Sequence, residues 1–131
     1  MSRILLILAV FAALPACGSD ETLVAYGAGD IEWQLTQIDG NTYSAPATIR
    51  FLPDGNVTGV APCNRFNAVQ TLPYPWFSLE NIAITRRACP DLLQEQAMMS
   101  ALDEMTLAET SPGMLLLSNA AGREMLFRAA E

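Results

Sequence analysis

Ile31-Glu32-Trp33-Gln34-Leu35-Thr36-Gln37-Ile38 alternates apolar and polar side chains without a break. A period of two puts every apolar side chain of that run on one face, the pattern of a β-strand with one buried side. Asp39-Gly40 follows as a turn, since these residues tolerate the positive φ that a tight reversal needs. The same grammar repeats downstream. Ala47–Leu52 and Val57–Ala61 flank Pro53-Asp54-Gly55-Asn56, a hairpin in which proline presets one turn angle and glycine accepts the next. Phe77–Thr85 alternates again, and Met114–Leu117 and Glu124–Phe127 bracket a second hairpin turn at Ser118–Gly122. The chain reads as about six or seven short strands.

One segment breaks this rhythm. Pro90–Thr106 is rich in helix formers and opens on proline, which suits a first helical turn. Leu93, Ala97, Ala101 and Met105 recur at every fourth position, with Met98 and Leu102 beside them. That stripe is expected to face the core, with its methionines as filler. Asp91 and Glu95 lie near the positive end of the helix dipole, and most of the fourteen acids are read as lying at turns or on the polar side of the helix, as solvated residues do.

The composition bounds the function. At 131 residues and 51% hydrophobic, the chain is long enough for one domain and too apolar for intrinsic disorder. Its 14 acidic residues outweigh 7 basic ones, all arginine, for a formal net charge of −7. This argues against nucleic acid as a partner, because phosphate binding needs clustered cations. The absence of histidine excludes a Ser-His-Asp triad, a Cys-His pair and an imidazole metal site. No metal or cofactor is expected.

The beginning of the chain carries an export signal. After Met1-Ser2-Arg3, Ile4–Leu14 is uncharged and almost wholly apolar. It is shorter than the roughly 20 residues needed to span a bilayer and suits a secretory signal. Leu14-Pro15-Ala16-Cys17 resembles a bacterial lipobox, which makes Cys17 the expected lipidation site. Gly18 rather than aspartate after it suits export to the outer membrane. The organisation expected is therefore a lipoprotein signal peptide over 1–16, a lipid-anchored tether over 17–29 and one domain over 30–131. The protein is placed on the bacterial cell envelope, facing the periplasm, with the membrane as its first partner.

With Cys17 acylated, Cys63 and Cys89 remain as an even pair in an oxidising compartment. A disulfide is the expected state, and it stabilises by roughly 3–4 kcal/mol in the loop-entropy account. Free thiols or a metal pair are the alternatives, the latter a poor zinc site without a third ligand.

Gly59-Val60-Ala61-Pro62-Cys63-Asn64-Arg65-Phe66-Asn67, then Ile82-Ala83-Ile84-Thr85-Arg86-Arg87-Ala88-Cys89, then the helix, resembles a META domain. This is the family of the heat-shock protein HslJ and related bacterial lipoproteins. The matching elements are Trp33-Gln34-Leu35, the Cys63-Asn64-Arg65 turn, and Thr85 with Ala88-Cys89 before the helix. Pro62 stands where the family usually has glycine, and Arg87 where methionine is common. The resemblance implies an α+β, mostly β fold, an antiparallel sheet or partial barrel wrapped around one helix. It also implies an envelope or stress role without an established reaction.

Each candidate residue carries two readings. Asn64 recognises a ligand or, as expected here, satisfies loop backbone groups. Arg65, Arg86 and Arg87 crowd near the cysteine pair, either as an anion-binding patch or paired with acids such as Asp91 and Glu80. Pro73–Phe77 presents Trp76 to a partner or covers the end of the barrel. The favoured function is a non-catalytic envelope lipoprotein that binds a protein or small ligand, with Arg65, Arg86, Arg87 and Trp76 as its surface. A periplasmic inhibitor or chaperone-like protein using the Trp76 loop is the second reading. A hydrolase is the third, and no carboxylate spacing resembles a known constellation.

Overall fold

Alternation becomes a sheet because each short strand has one apolar face to bury. The computed structural model describes residues 18–131, so the expected signal peptide and Cys17 lie outside the described residues. Within them run β1 (Trp33–Ile38), β2 (Asn41–Thr42), β3 (Thr48–Phe51), β4 (Asn56–Val60), β5 (Arg65–Val69) and β6 (Glu80–Ile84). Helix α1 (Leu92–Glu104) follows, then β7 (Leu107–Ser111), β8 (Met114–Ser118) and β9 (Glu124–Ala129). The sheet order is β6-β5-β4-β3-β1-β9-β8-β7, with β2 paired to β1 off this path. Every pairing between these strands is antiparallel, and the sheet curls into a half-barrel. Trp33, Leu35, Ile49, Phe66, Leu117 and Phe127 point inward and meet Met98, Ala101 and Leu102 of α1, and Met105 just after it, in one core.

The strand count exceeds the six or seven read from sequence, because β2, with only two residues, and the five-residue β5 and β7 are not among the strands read. Strand β5 alternates exposed and buried residues from Arg65 to Ala68, but its start coincides with the Cys-Asn-Arg turn. The expected Phe77–Thr85 strand divides. Asn81 takes a positive φ of 53° near the register shift between β5 and β6, and β6 begins only at Glu80. Residues 75–77 instead pair with the edge of β7: Ala108 N–H donates to Pro75 O at 2.8 Å and Phe77 N–H to Thr106 O at 2.9 Å. That contact covers an otherwise open edge strand.

Two further expectations change. Leu93 is 77% exposed and Ala97 is exposed as well, while Glu95 is buried with Met98, Ala101 and Leu102. Steps of four residues advance about 40° beyond a full turn each time, so the Leu93-to-Met105 stripe winds around the helix. The path Glu95-Met98-Leu102-Met105 stays under the sheet. The stretch expected as a tether over 17–29 also joins the domain from Thr22 onward. Residues Val24–Ala28 form an irregular turn, Leu23 and Ala28 are buried, and Trp33 Nε1–H donates to Ala28 O at 3.1 Å.

Gly59 on β4 lies opposite Phe66 on β5, whose ring occupies the space a side chain would need. A Cβ at Gly59 would stand 2.1 Å from the ring. Gly59→Ala is therefore expected to lower stability by about 1–3 kcal/mol through overpacking, read as a lower denaturant midpoint at unchanged slope. An unchanged midpoint would place the Phe66 ring elsewhere.

Candidate functional site

The loop between β4 and β5, Ala61-Pro62-Cys63-Asn64, closes one end of the half-barrel. Ala61 N–H donates to Asn64 O at 2.7 Å. Pro62 takes the second position of this turn, where its fixed φ suits the reversal and no N–H is required. The departure from glycine at this position is thereby accommodated.

Asn64 is 6% exposed and uses its whole carboxamide. Its Nδ2 donates to Arg87 O at 2.9 Å and to Glu95 Oε1. Its Oδ1 accepts from Arg87 N–H at 2.6 Å and from the Thr85 hydroxyl at 3.0 Å. A carboxamide has the donor and acceptor of a peptide group, so Asn64 pairs with the Arg87 backbone as a further strand residue would. Only the main chain of Arg87 takes part, which explains why arginine can stand where methionine is common. Thr85 Oγ1 also accepts Arg65 N–H at 3.1 Å, and Thr85 N–H donates to Arg65 O at 3.0 Å, so the β5–β6 ladder continues into the site.

Glu95 completes the arrangement from the helix. It is 5% exposed, and its second oxygen accepts Cys63 N–H at 2.8 Å. A buried carboxylate is tolerated where donors meet it, and here each oxygen has one. Its position in the first turn of α1 adds the favourable end of the helix dipole. The Cys63–Cys89 disulfide, with a sequence separation of 26, joins the same turn to the lead-in of α1 covalently. Tyr43 packs nearby, its hydroxyl donating to Gln94 O at 2.8 Å. Burial, followed by the negative Glu95 and Asp91, pushes its pKa up to about 12.

Around this buried network lies a shallow cavity of about 250 Å³, lined in part by Pro62, Asn64, Arg65, Thr85 and Arg87. Arg65, Arg86 and Arg87 are exposed. Among the described residues, Arg50 pairs with Glu32, and Arg123 pairs with Asp39 and Glu104. Arg65, Arg86 and Arg87 are in none of these pairs, so the expected contacts with Asp91 and Glu80 do not form. Arg128 on β9 is likewise exposed and outside these pairs. Four of the described arginines are thus left to solvent on an acidic protein, and three of them belong to the β4–β5 turn and the connection after β6.

The profile of the META domain family matches residues 27–131. The chain belongs to the META domain family. Its fold is similar to that of a Burkholderia xenovorans protein solved by NMR, at 22% identity and a TM-score of 0.65, covering 94% of this chain and 99% of that one. It is also similar to a DUF4847 family protein from Bacteroides vulgatus ATCC 8482, at 12% identity and a TM-score of 0.63, covering 80% of this chain and 96% of that one. At these identities the likeness is one of fold. No curated protein matches the chain significantly.

The META domain places the residues singled out from sequence in three locations. Cys63, Asn64, Arg65, Thr85, Arg87 and Cys89 meet at one end, with Arg86 and Ala88 exposed on the same connection. Trp33 is a core residue of β1, 1% exposed. Trp76 lies at the other end, because Gln70, which follows β5, donates to Trp76 O at 3.2 Å while Arg65 begins that strand. The four residues grouped as one partner surface therefore form two. Sequence reading missed Glu95, whose only signal was its place on the Met98-Leu102-Met105 line. It also missed Gln70, a buried amide that holds the Leu72–Ser78 loop through Leu72 O, Trp76 O and Ser78 N–H.

Asn64→Ala would leave Glu95 Oε1 and both polar groups of Arg87 without their partner. The expected cost is on the order of 2–5 kcal/mol, measured by denaturant unfolding with the disulfide intact. A loss below about 0.5 kcal/mol, the range of an ordinary surface change, would show that the disulfide alone holds the turn.

Proposed function

We propose that this META domain is a non-catalytic binding module of the bacterial cell envelope, anchored on the outer membrane by acyl chains on Cys17. Its binding face is the arginine shelf at Arg65, Arg86 and Arg87, and its ligand is an acidic group on an envelope protein or small molecule. The observation that carries this reading is the grouping of three exposed, unpaired arginines on the two segments that Asn64 joins, beside a buried network whose polar atoms are already engaged, whereas the other unpaired arginine, Arg128, lies apart on β9. Asn64 and Glu95, the most chemically capable buried groups, are occupied in holding the turn. They offer the shelf rigidity rather than a free acid or base. A cationic spot on a chain of net charge −7 is also selective. The surrounding field repels anions in general, while the shelf attracts one that reaches it.

The lipobox Leu14-Pro15-Ala16-Cys17 supports the anchor, and acylation of this kind gives firm hold when more than one chain is attached. The test is photo-crosslinking in the native envelope combined with fractionation. The unaltered chain is expected in the membrane fraction, crosslinked to a defined partner from the shelf. Cys17→Ala should block processing or release the protein. Arg65→Glu with Arg87→Glu should keep membrane retention and the melting temperature while losing the crosslink. Cys17→Ala that is still processed to the mature size and still retained in the membrane overturns the anchor, and an unchanged crosslink in the charge-reversed protein overturns the shelf.

A further inference from the structure

We infer that the end of the half-barrel carrying Trp76, Tyr26, Leu72 and Leu52 rests in the lipid–water interface of the membrane. The inference builds on the Cys17 anchor proposed above and adds an orientation to it. Its first support is the length of chain between anchor and fold. Tyr74 N–H donates to Glu21 O at 2.7 Å, which pins the incoming chain to the Leu72–Trp76 loop. The few residues from Cys17 to Glu21 span at most about 14 Å when fully extended. An acylated Cys17 therefore holds this end, and no other, against the headgroups.

The second support is what that end exposes. Among the described residues, six large hydrophobic side chains are exposed, and four of them gather here: Trp76 at 58%, Tyr26, Leu72 and Leu52. Tyr26 stacks on Tyr74 with ring centroids 4.3 Å apart, which fixes two aromatic rings beside the chain entry. Leu52 and Leu72 line a groove of about 290 Å³ together with Leu23 and Val24, so it lies directly on the anchored segment. Tryptophan and tyrosine favour the headgroup region, where an apolar ring and a polar tip are both satisfied.

Charge selects the kind of lipid. The ionisable side chains beside this end include Asp20, Glu21 and Asp54, and no arginine lines the groove. Contact is made by aromatic and aliphatic insertion among zwitterionic headgroups, without electrostatic attraction to anionic lipid. Strand direction supplies the consequence. Val60 pairs with Arg65 at one end of the β4–β5 ladder and Asn56 with Val69 at the other. With Trp76 at the membrane, the arginine shelf faces away from it, about a strand length of 15 Å deeper into the periplasm.

The two tryptophans make the test direct, because Trp33 is 1% exposed and Trp76 is open. The full lipidated chain is incorporated into phosphatidylcholine vesicles with or without bromine on the upper acyl carbons, floated on a gradient and read by tryptophan emission. The expected result is co-flotation with loss of most of the Trp76 emission in brominated vesicles, a loss absent in Trp76→Phe, where only Trp33 emits. Co-flotation with Trp76 unquenched by bromine and still quenched by aqueous iodide overturns the interfacial docking while the anchor stands. Failure to float overturns the anchor, and the docking with it. Quenching that requires anionic lipid overturns the zwitterionic contact. Shielding of Trp76 in the native envelope but not in protein-free vesicles overturns lipid as the occupant in favour of a protein.

Discussion

A carboxylate buried beneath a sheet has to be met by donors, and Glu95 meets two of them at once. One is the Cys63 amide and the other the Asn64 carboxamide, both on the β4–β5 turn. This single requirement fixes the rotation of α1 about its axis, because only one phase brings Glu95 to the turn and Met98, Leu102 and Met105 to the core. It also fixes the connection before the helix, since the amide that meets Glu95 is held by the Arg87 backbone. The disulfide then joins two segments that hydrogen bonding has already brought together, with Cα atoms 5.5 Å apart.

Much of the sheet was legible in the sequence because period-two alternation reports burial on one face. The Ile31–Ile38 run becomes β1, and the Pro53-to-Asn56 and Ser118-to-Gly122 turns lie where turn chemistry puts them. Asp39-Gly40 adopts positive φ at both residues, as its composition demands. Mutual pairing of Cys63 and Cys89 was legible as arithmetic once Cys17 was assigned to the anchor. The helix face was not legible. Hydrophobicity alone favours Leu93 over Glu95, and the energy that reverses this choice comes from donors more than 30 residues away in the chain. Strand β5 was hidden for a related reason, as its first residue belongs both to the motif turn and to the ladder. Residues 22–29 look like a linker in composition, and only the groove under Leu23 and the carbonyl taken by Trp33 make them part of the fold.

The two ends of the half-barrel have opposite characters, and strand polarity keeps them apart. One end is rigid and cationic, built from the motif residues and stapled by the disulfide. The other is aromatic and aliphatic, held by the Gln70 amide and by the incoming chain at Glu21. Cys63, Asn64, Thr85 and Cys89 serve the architecture of the first end, leaving the side chains of Arg65, Arg86 and Arg87 outside it. Variation in those arginines changes what the surface presents without disturbing the turn beneath.

Native-state hydrogen exchange at the Cys63 and Arg87 amides tests the clamp most directly, because both are loop amides that donate to the buried side chains of Glu95 and Asn64. They should exchange as slowly as the central β1 and β3 amides, opening only with the core. Exchange at the rate of exposed loop amides, with the sheet still protected, would contradict the account.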